Sequence, residues 1–229
     1  MSVVPHPHHL VRVADVPSGS QWLGADERTV ERALLRVERR REWRSGRWAA
    51  KQVLTTALGG ALDDCARWQI IAADDGAPEV FLDGSAAAVT VSISHRAGWA
   101  AAVLSRQGTP VGIDLEVLEP RSERFVRDFF TDREVASYLG ATYELRDTYA
   151  ATVWSAKESI LKCLRAGLRR DTRSVEVAVG AEALRRPRRD NWTWIPGSDL
   201  QTGERFDVWW MVRDDLLVTI AAPALRLAA

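Results

Sequence analysis

Asp114 and Glu116 alternate with Ile113 and Leu115 in the segment VGIDLEV (residues 111–117). On an extended chain this alternation puts both carboxylates on one face. Adjacent carboxylates repel unless a cation stands between them. Side-by-side oxygens suit a hard divalent ion such as Mg²⁺, which takes one or two protein carboxylates plus waters and phosphate oxygens. A solvent-facing strand edge is the plainer reading of the same pair. Further along, VWSAKESILKCL (153–164) carries Lys157, Glu158 and Lys162. As a helix it places Trp154, Glu158 and Lys162 on one face, with Glu158 and Lys162 one turn apart. An ordinary Glu–Lys pair at that spacing is worth only about 0.2–0.5 kcal/mol. Composition weighs against so plain a role, because 28 of the 31 basic residues are arginine and the lysines are Lys51, Lys157 and Lys162 alone. Arginine keeps its proton near neutrality, whereas lysine is a compact charge whose pKa moves readily. Lys162 therefore reads as a group that touches a phosphate oxygen or hands over a proton.

The elements that must hold these groups are mixed. Val30, Leu34 and Val37, then Trp48, Val53 and Leu54, recur at helical spacing around RVERRREWRSGRWAAK (36–51), where seven basic residues stand against two acids. Ser45-Gly46 reads as a break between two helices, with Ser45 capping the second. A basic helix end of this kind suits phosphate groups, though a solvated helix face has the same composition. Asp75-Gly76 and Asp83-Gly84 mark turns. AVTVSISHRAGWAAAVLS reads as two strands about a turn at Arg96-Ala97-Gly98, with His95 at the end of the first. FDVWWMV and LLVTIAA form a hairpin about Asp214-Asp215, and RRPRRD (185–190) reads as a solvated basic loop. No internal repeat is visible. His6, His8 and His9 read as incidental rather than as a metal cluster.

Composition narrows the function classes. The chain has 229 residues, 46% hydrophobic and 27% charged, with zero formal net charge. A balanced charge excludes a chain built as a whole to bind nucleic acid. No apolar run approaches the roughly 18 residues of a membrane span, and MSVVPHPHHLVRV has no signal-like core, so a cytoplasmic protein is expected. Two cysteines, Cys65 and Cys163, make no disulfide framework.

In combination the motifs resemble the 4'-phosphopantetheinyl transferases of the surfactin-synthetase-activating type. VGIDLE followed by WSAKESILK, with 44 residues from Asp114 to Glu158, is similar to the family's paired signature. GRWAAK (46–51), DGAPEV, VSISH, FFTDREVASYL (129–139) and LRAGL resemble its other elements in order. One departure is Ala77, where members often carry a basic residue, so that a phosphate contact would pass to another arginine, Arg44 or Arg67.

The resemblance implies transfer of the phosphopantetheine arm of coenzyme A, the substrate, to a serine of an acyl or peptidyl carrier protein, releasing 3',5'-adenosine bisphosphate. It implies Mg²⁺, with Mn²⁺ as an alternative, on Asp114, Glu116 and Glu158, and catalysis by Glu158 and Lys162. Coenzyme A contacts fall by the same carry-over on Arg47, Lys51, Ser94, His95, Lys157 and Lys162, with Lys157 either bracing the site or touching a phosphate, while Glu134 is structural or a neighbour of the site residues. The implied fold is α+β, two similar lobes (1–110 and 111–229), each a small antiparallel sheet with helices, with the active site in the cleft between them. A monomer is expected, with carrier contacts in the 121–150 region, whose Phe125, Phe129, Tyr138 and Leu139 could instead be core. Two alternatives stand beside this reading: a non-catalytic homologue that binds coenzyme A or a carrier, and a different Mg²⁺-dependent phosphate enzyme that needs no carrier.

Overall fold

The computed structural model describes residues 6–180, 183–184 and 191–224, so the RRPRRD segment lies outside the described residues. The chain is α+β and divides into two compact units, one ending at Val111 and the other beginning at Gly112.

In the first unit, β1 (His8–Arg12), β5 (Val89–Arg96) and β6 (Trp99–Arg106) form an antiparallel sheet in the order β1-β6-β5. The β5–β6 connection is the tight turn read from the sequence: Ala97 and Gly98 both take positive φ, 48° and 79°, the pair a two-residue hairpin needs. A second small sheet joins β2 (Trp68–Ala72), β3 (Pro78–Leu82) and β4 (Ser85–Ala86). Two helices complete the unit, α1 (Ala25–Ala33) and α2 (Val37–Leu58). Leu23, Leu54, Ile70 and Leu104 are fully buried at its centre.

The break expected at Ser45-Gly46 does not exist. Both residues are buried inside a continuous α2. Ser45 donates its hydroxyl to the Glu42 carbonyl at 2.8 Å instead of capping a helix. Gly46 is needed for closeness, since a Cβ there would lie 2.8 Å from Cγ2 of Ile93 on β5. The glycine lowers helix propensity, but packing against the sheet outweighs that local preference.

The second unit is a five-stranded antiparallel sheet in the order β7-β11-β10-β9-β8: β7 (Gly112–Val117), β8 (Val175–Val177), β9 (Thr193–Asp199), β10 (Arg205–Arg213) and β11 (Leu216–Pro223). The β10–β11 hairpin turns at Asp214, whose φ is 54°. Helices α3 (Glu123–Phe129), α4 (Asp132–Gly140) and α5 (Tyr143–Cys163) accompany the sheet, and α5 packs on β7 and β11. No described helix is long and apolar enough to cross a membrane.

Gly112 decides how near β7 can come to α5. A Cβ at this position would stand 1.9 Å from the Ser159 carbonyl oxygen and 2.8 Å from the Cys163 amide nitrogen. Those are backbone atoms, so no rotamer change relieves the contact. Gly112→Ala is expected to destabilise the protein by about 1–3 kcal/mol or more through this overpacking. Urea unfolding checks it; a midpoint equal to that of the parent would refute the close packing.

Candidate functional site

The sheet register brings the second unit's chemistry together. Asp114 on β7 lies directly opposite Thr219 on β11, and Glu116 opposite Leu217. Asp114 and Glu116, two residues apart, share one face of β7, and both are buried. Across from that face, α5 presents Trp154, Ser155, Glu158, Ser159 and Lys162. Asp114 is held at both oxygens: Lys162 Nζ donates to Oδ1 at 2.8 Å and Ser155 Oγ to Oδ2 at 2.9 Å. Lys162 also donates to the Ile113 carbonyl at 3.0 Å. Glu116 accepts from Trp154 Nε1 at 2.8 Å on Oε1 and from Arg121 at 2.9 Å on Oε2. The Trp154 indole is itself wedged against Phe125 and Phe129, with ring centres 5.0 and 5.2 Å away.

Glu158 differs from these acids. Burial, then the nearby Asp114 charge, push its carboxyl up to about 7, with Lys162 opposing and Glu116 adding to the rise. A carboxylate poised near neutrality gains and loses a proton readily, as a general base must.

Lys51 and Lys157 correct an expectation. Read from the family as contacts to coenzyme A, both have side chains with no exposed surface. Lys157 Nζ lies 2.7 Å from Glu134 Oε2 and donates to the Thr172 and Val175 carbonyls at 3.0 and 2.7 Å. Lys51 Nζ lies 2.6 Å from Glu27 Oε2 and donates to the carbonyls of Trp22, Cys65 and Trp68. An ammonium has three protons, and these partners use them all, which leaves none for a phosphate. Desolvation lowers both lysines and raises Glu134, with the pair's own attraction working against each shift.

The two locks match in detail. Glu27 sits in the first turn of α1, accepts from the Gly24 amide on Oε2 and from the Ile70 amide of β2 on Oε1. Glu134 sits in the first turn of α4, accepts from the Thr131 amide on Oε2 and from the Val177 amide of β8 on Oε1. Each unit thus ties a short helix, a long helix and a strand to one buried Glu–Lys pair. The lysines sit in Trp48-Ala-Ala-Lys51 and Trp154-Ser-Ala-Lys157. The same local arrangement thus occurs once in each unit, where the sequence showed no repeat: four scattered residues are too weak a signal until the contacts align them.

In the first unit, Arg47 stands over the Trp43 ring at 4.6 Å, and its Nε has no hydrogen-bond partner among the described residues. Burial pulls it down to about 10. His95 and Ser94 follow one another on β5 and so face opposite ways; His95 shares the face of Ile93, which meets α2, and Ser94 is buried on the other. Arg44 and Arg67 already have carboxylate partners: Arg44 is ion-paired with Glu31 and donates to the carbonyls of Pro17, Ser18 and Gly19, and Arg67 pairs with Asp83.

Several residues of the second unit's site escaped the sequence. Ser155 and Ser159 share the α5 face with Glu158, which their spacing could have shown. Thr219 and Arg121 had no such signal, because only strand pairing and a folded loop bring them near the acids. In the 121–150 region, Tyr138 is core, whereas Phe129 and Leu139 are 36% and 40% exposed.

Among the described residues, no group of three or more His, Cys, Asp and Glu converges closely enough to hold a metal ion. The donor chemistry of Asp114, Glu116 and Glu158 nonetheless fits a hard divalent cation. Three acids lie near enough for the two on β7 to raise the third.

Residues 110–205 match the family model of the 4'-phosphopantetheinyl transferase superfamily, and residues 25–105 match the model of the 4'-phosphopantetheinyl transferase N-terminal domain. The chain is 32% identical over 71 residues to the 4'-phosphopantetheinyl transferase Sfp of Bacillus subtilis (strain 168), a match spanning 31% of each chain. Among solved structures it is similar to the holo-[acyl-carrier-protein] synthase (AcpS) of Thermotoga maritima, with 18% identity, a TM-score of 0.35, and coverage of 52% of this chain and 64% of that one. The two family models, which together run from residue 25 to residue 205, lead to one identification: the chain belongs to the 4'-phosphopantetheinyl transferase superfamily.

Proposed function

We propose that this protein transfers the 4'-phosphopantetheine arm of coenzyme A to a serine of an apo acyl or peptidyl carrier protein, in a reaction that requires Mg²⁺ or Mn²⁺. The observation that carries the reading is that the β7 face of Asp114 and Glu116 meets the α5 face of Glu158 and Lys162, joined by the Lys162–Asp114 contact, with Glu158 raised to about 7. The serine oxygen attacks the phosphorus bonded to the pantetheine, the pyrophosphate bond breaks, and 3',5'-adenosine bisphosphate leaves. Glu158 is the group positioned to take the serine proton. Lys162, a quarter exposed beside Asp114, supplies a positive charge for the departing phosphate. Asp114, Glu116 and Glu158 would hold the divalent ion, which when bound neutralises charge on the phosphate oxygens. Arg47, partly buried and short of hydrogen-bond partners, is suited to a coenzyme A phosphate. Ser94 and His95 are proposed as further contacts to coenzyme A. Lys51 and Lys157 have no part in binding.

The test is the intact mass of an apo carrier protein after incubation with this protein, coenzyme A and Mg²⁺. A gain of one phosphopantetheine arm, lost in Lys162→Ala, is expected. No gain across acyl and peptidyl carriers, with coenzyme A still bound, would favour a non-catalytic binding protein. Coenzyme A cleavage without carrier modification would mean a different phosphate chemistry.

A further inference from the structure

A cavity of about 590 Å³ opens in the first unit between the segment that follows β1, the N-terminal half of α2 and the β5–β6 turn. Small-molecule sites are commonly of this kind: roughly 300–1,000 Å³, mostly apolar, with a few polar groups that fix orientation. Here Val13, Ala14, Val16 and Pro17 supply an apolar wall, and Arg41 and Arg44, one turn apart on α2, supply the charge. Among the described residues no carboxylate side chain lines it. Nor does Arg47, Ser94 or His95, the first-unit groups proposed for coenzyme A.

The two arginines differ in what they have left to offer. Arg44 is engaged: it is ion-paired with Glu31, donates to the Pro17, Ser18 and Gly19 carbonyls and to the Ser20 hydroxyl, and lies 5.2 Å from the centre of the Trp22 ring. Its charge is balanced, and its effect is to hold the wall. At the other end of the wall, the Val13 amide donates to the Gly98 carbonyl at 2.8 Å. The segment is thus pinned at both ends, and the Pro17 ring fixes its own φ. A wall already ordered spares a ligand the entropy of ordering it. Arg41, by contrast, is exposed, and no ion pair or hydrogen bond occupies its guanidinium among the described residues. A guanidinium matches a carboxylate with two parallel hydrogen bonds.

We propose that this cavity binds a small apolar carboxylic acid, with its aromatic or aliphatic body against Val13, Val16 and Pro17 and its carboxylate on Arg41. The two halves of the site select the class together. A neutral apolar molecule leaves Arg41 unmatched, and a bare inorganic anion leaves the apolar wall in water.

Isothermal titration of the full chain with 2-naphthoate, 2-naphthamide and inorganic phosphate tests this. Saturable one-site binding of 2-naphthoate is expected, with the amide and phosphate weaker by about tenfold or more, as loss of a charge-assisted hydrogen bond or of the apolar contact implies. Arg41→Ala should weaken 2-naphthoate by about tenfold, to the level of the amide. Arg41→Lys, which keeps a charge without the fork, should recover part of the loss. Ala14→Trp, at an exposed position on the wall, should fill the cavity and abolish binding; if that variant fails to fold, the two Arg41 variants carry the test. Transfer of phosphopantetheine by Arg41→Ala should equal that of the parent, and the binding results stand whether or not the protein performs that transfer. Absence of saturable 2-naphthoate binding overturns the proposal, as does equal affinity for 2-naphthoate and either the amide or phosphate. So does 2-naphthoate binding that Arg41→Ala leaves unchanged. Loss of transfer in Arg41→Ala would place Arg41 with coenzyme A and would overturn it too.

Discussion

Glu158→Gln is expected to lower the rate of phosphopantetheine transfer by about 10²–10⁴-fold while making the folded protein more stable above neutral pH. Both effects follow from one cause. Burial and the Asp114 charge push the Glu158 carboxyl from its usual range to about 7. Its native pKa is thus above its unfolded value, so the native state holds this proton more tightly than the unfolded chain does. The proton stabilises the fold fully below the unfolded pKa, and that contribution is lost as pH rises through about 7. At pH 8 the charged Glu158 works against folding, and a neutral glutamine of the same shape removes the strain. The gain should be about 1–3 kcal/mol, discounted for partial exposure. Urea unfolding of both proteins at pH 5 and pH 8 reads it: the variant should gain on the parent only at the higher pH. Equal stability at both would mean that Glu158 is not strained. The same proton competes with a cation, so Mn²⁺ affinity of the parent should fall by up to about tenfold per pH unit below 7. In Glu158→Gln that slope should disappear.

Lys157→Met is expected to be among the most damaging single substitutions for stability, by about 3–5 kcal/mol. It leaves the Glu134 carboxylate buried without its cation, and frees the Thr172 and Val175 carbonyls from the donor they share. The pair also joins α4, α5 and β8, so its loss loosens three elements at once. Glu134→Leu combined with Lys157→Met should recover much of the stability, because burying two ions is costly and a well-packed apolar pair is often no worse. Chemical unfolding of the three variants gives the comparison. A double variant no better than Lys157→Met alone would show that the backbone bonds of the two side chains, rather than the unpaired charge, carry the loss. Lys51→Met with Glu27→Leu should behave alike in the first unit, where the ammonium meets three carbonyls in addition to its glutamate.

Much of the chemistry was legible in the chain. Period-two alternation over Ile113 to Glu116 is a local property, and it put two carboxylates on one face. Helical spacing over Trp154, Glu158 and Lys162 is also local, and α5 carries all three on the side that meets β7. The hairpin turn at Ala97-Gly98 could be read because positive φ has few residue types to choose from. The use of lysine was legible only in part. It marked Lys51, Lys157 and Lys162 as unlike the arginines, and the reason differs among them. At two positions the chain needs a slender ammonium that can be buried beside a glutamate and backbone carbonyls, and at one a charge beside Asp114.

What the tertiary structure alone decided is whatever depends on two distant segments meeting. Ser45-Gly46 contains every local sign of a break, yet α2 runs through it because Gly46 must lie against Ile93. Thr219 became part of the Asp114 site through strand register, and no pattern within β11 indicates its partner. The repeated Glu–Lys locks rest on pairs far apart in sequence, Glu27 with Lys51 and Glu134 with Lys157, held together by long-range packing. Side-chain type and spacing set which groups can do chemistry. Burial, which only the assembled core supplies, decided that Lys51 and Lys157 hold the fold and that Glu158 titrates near neutrality.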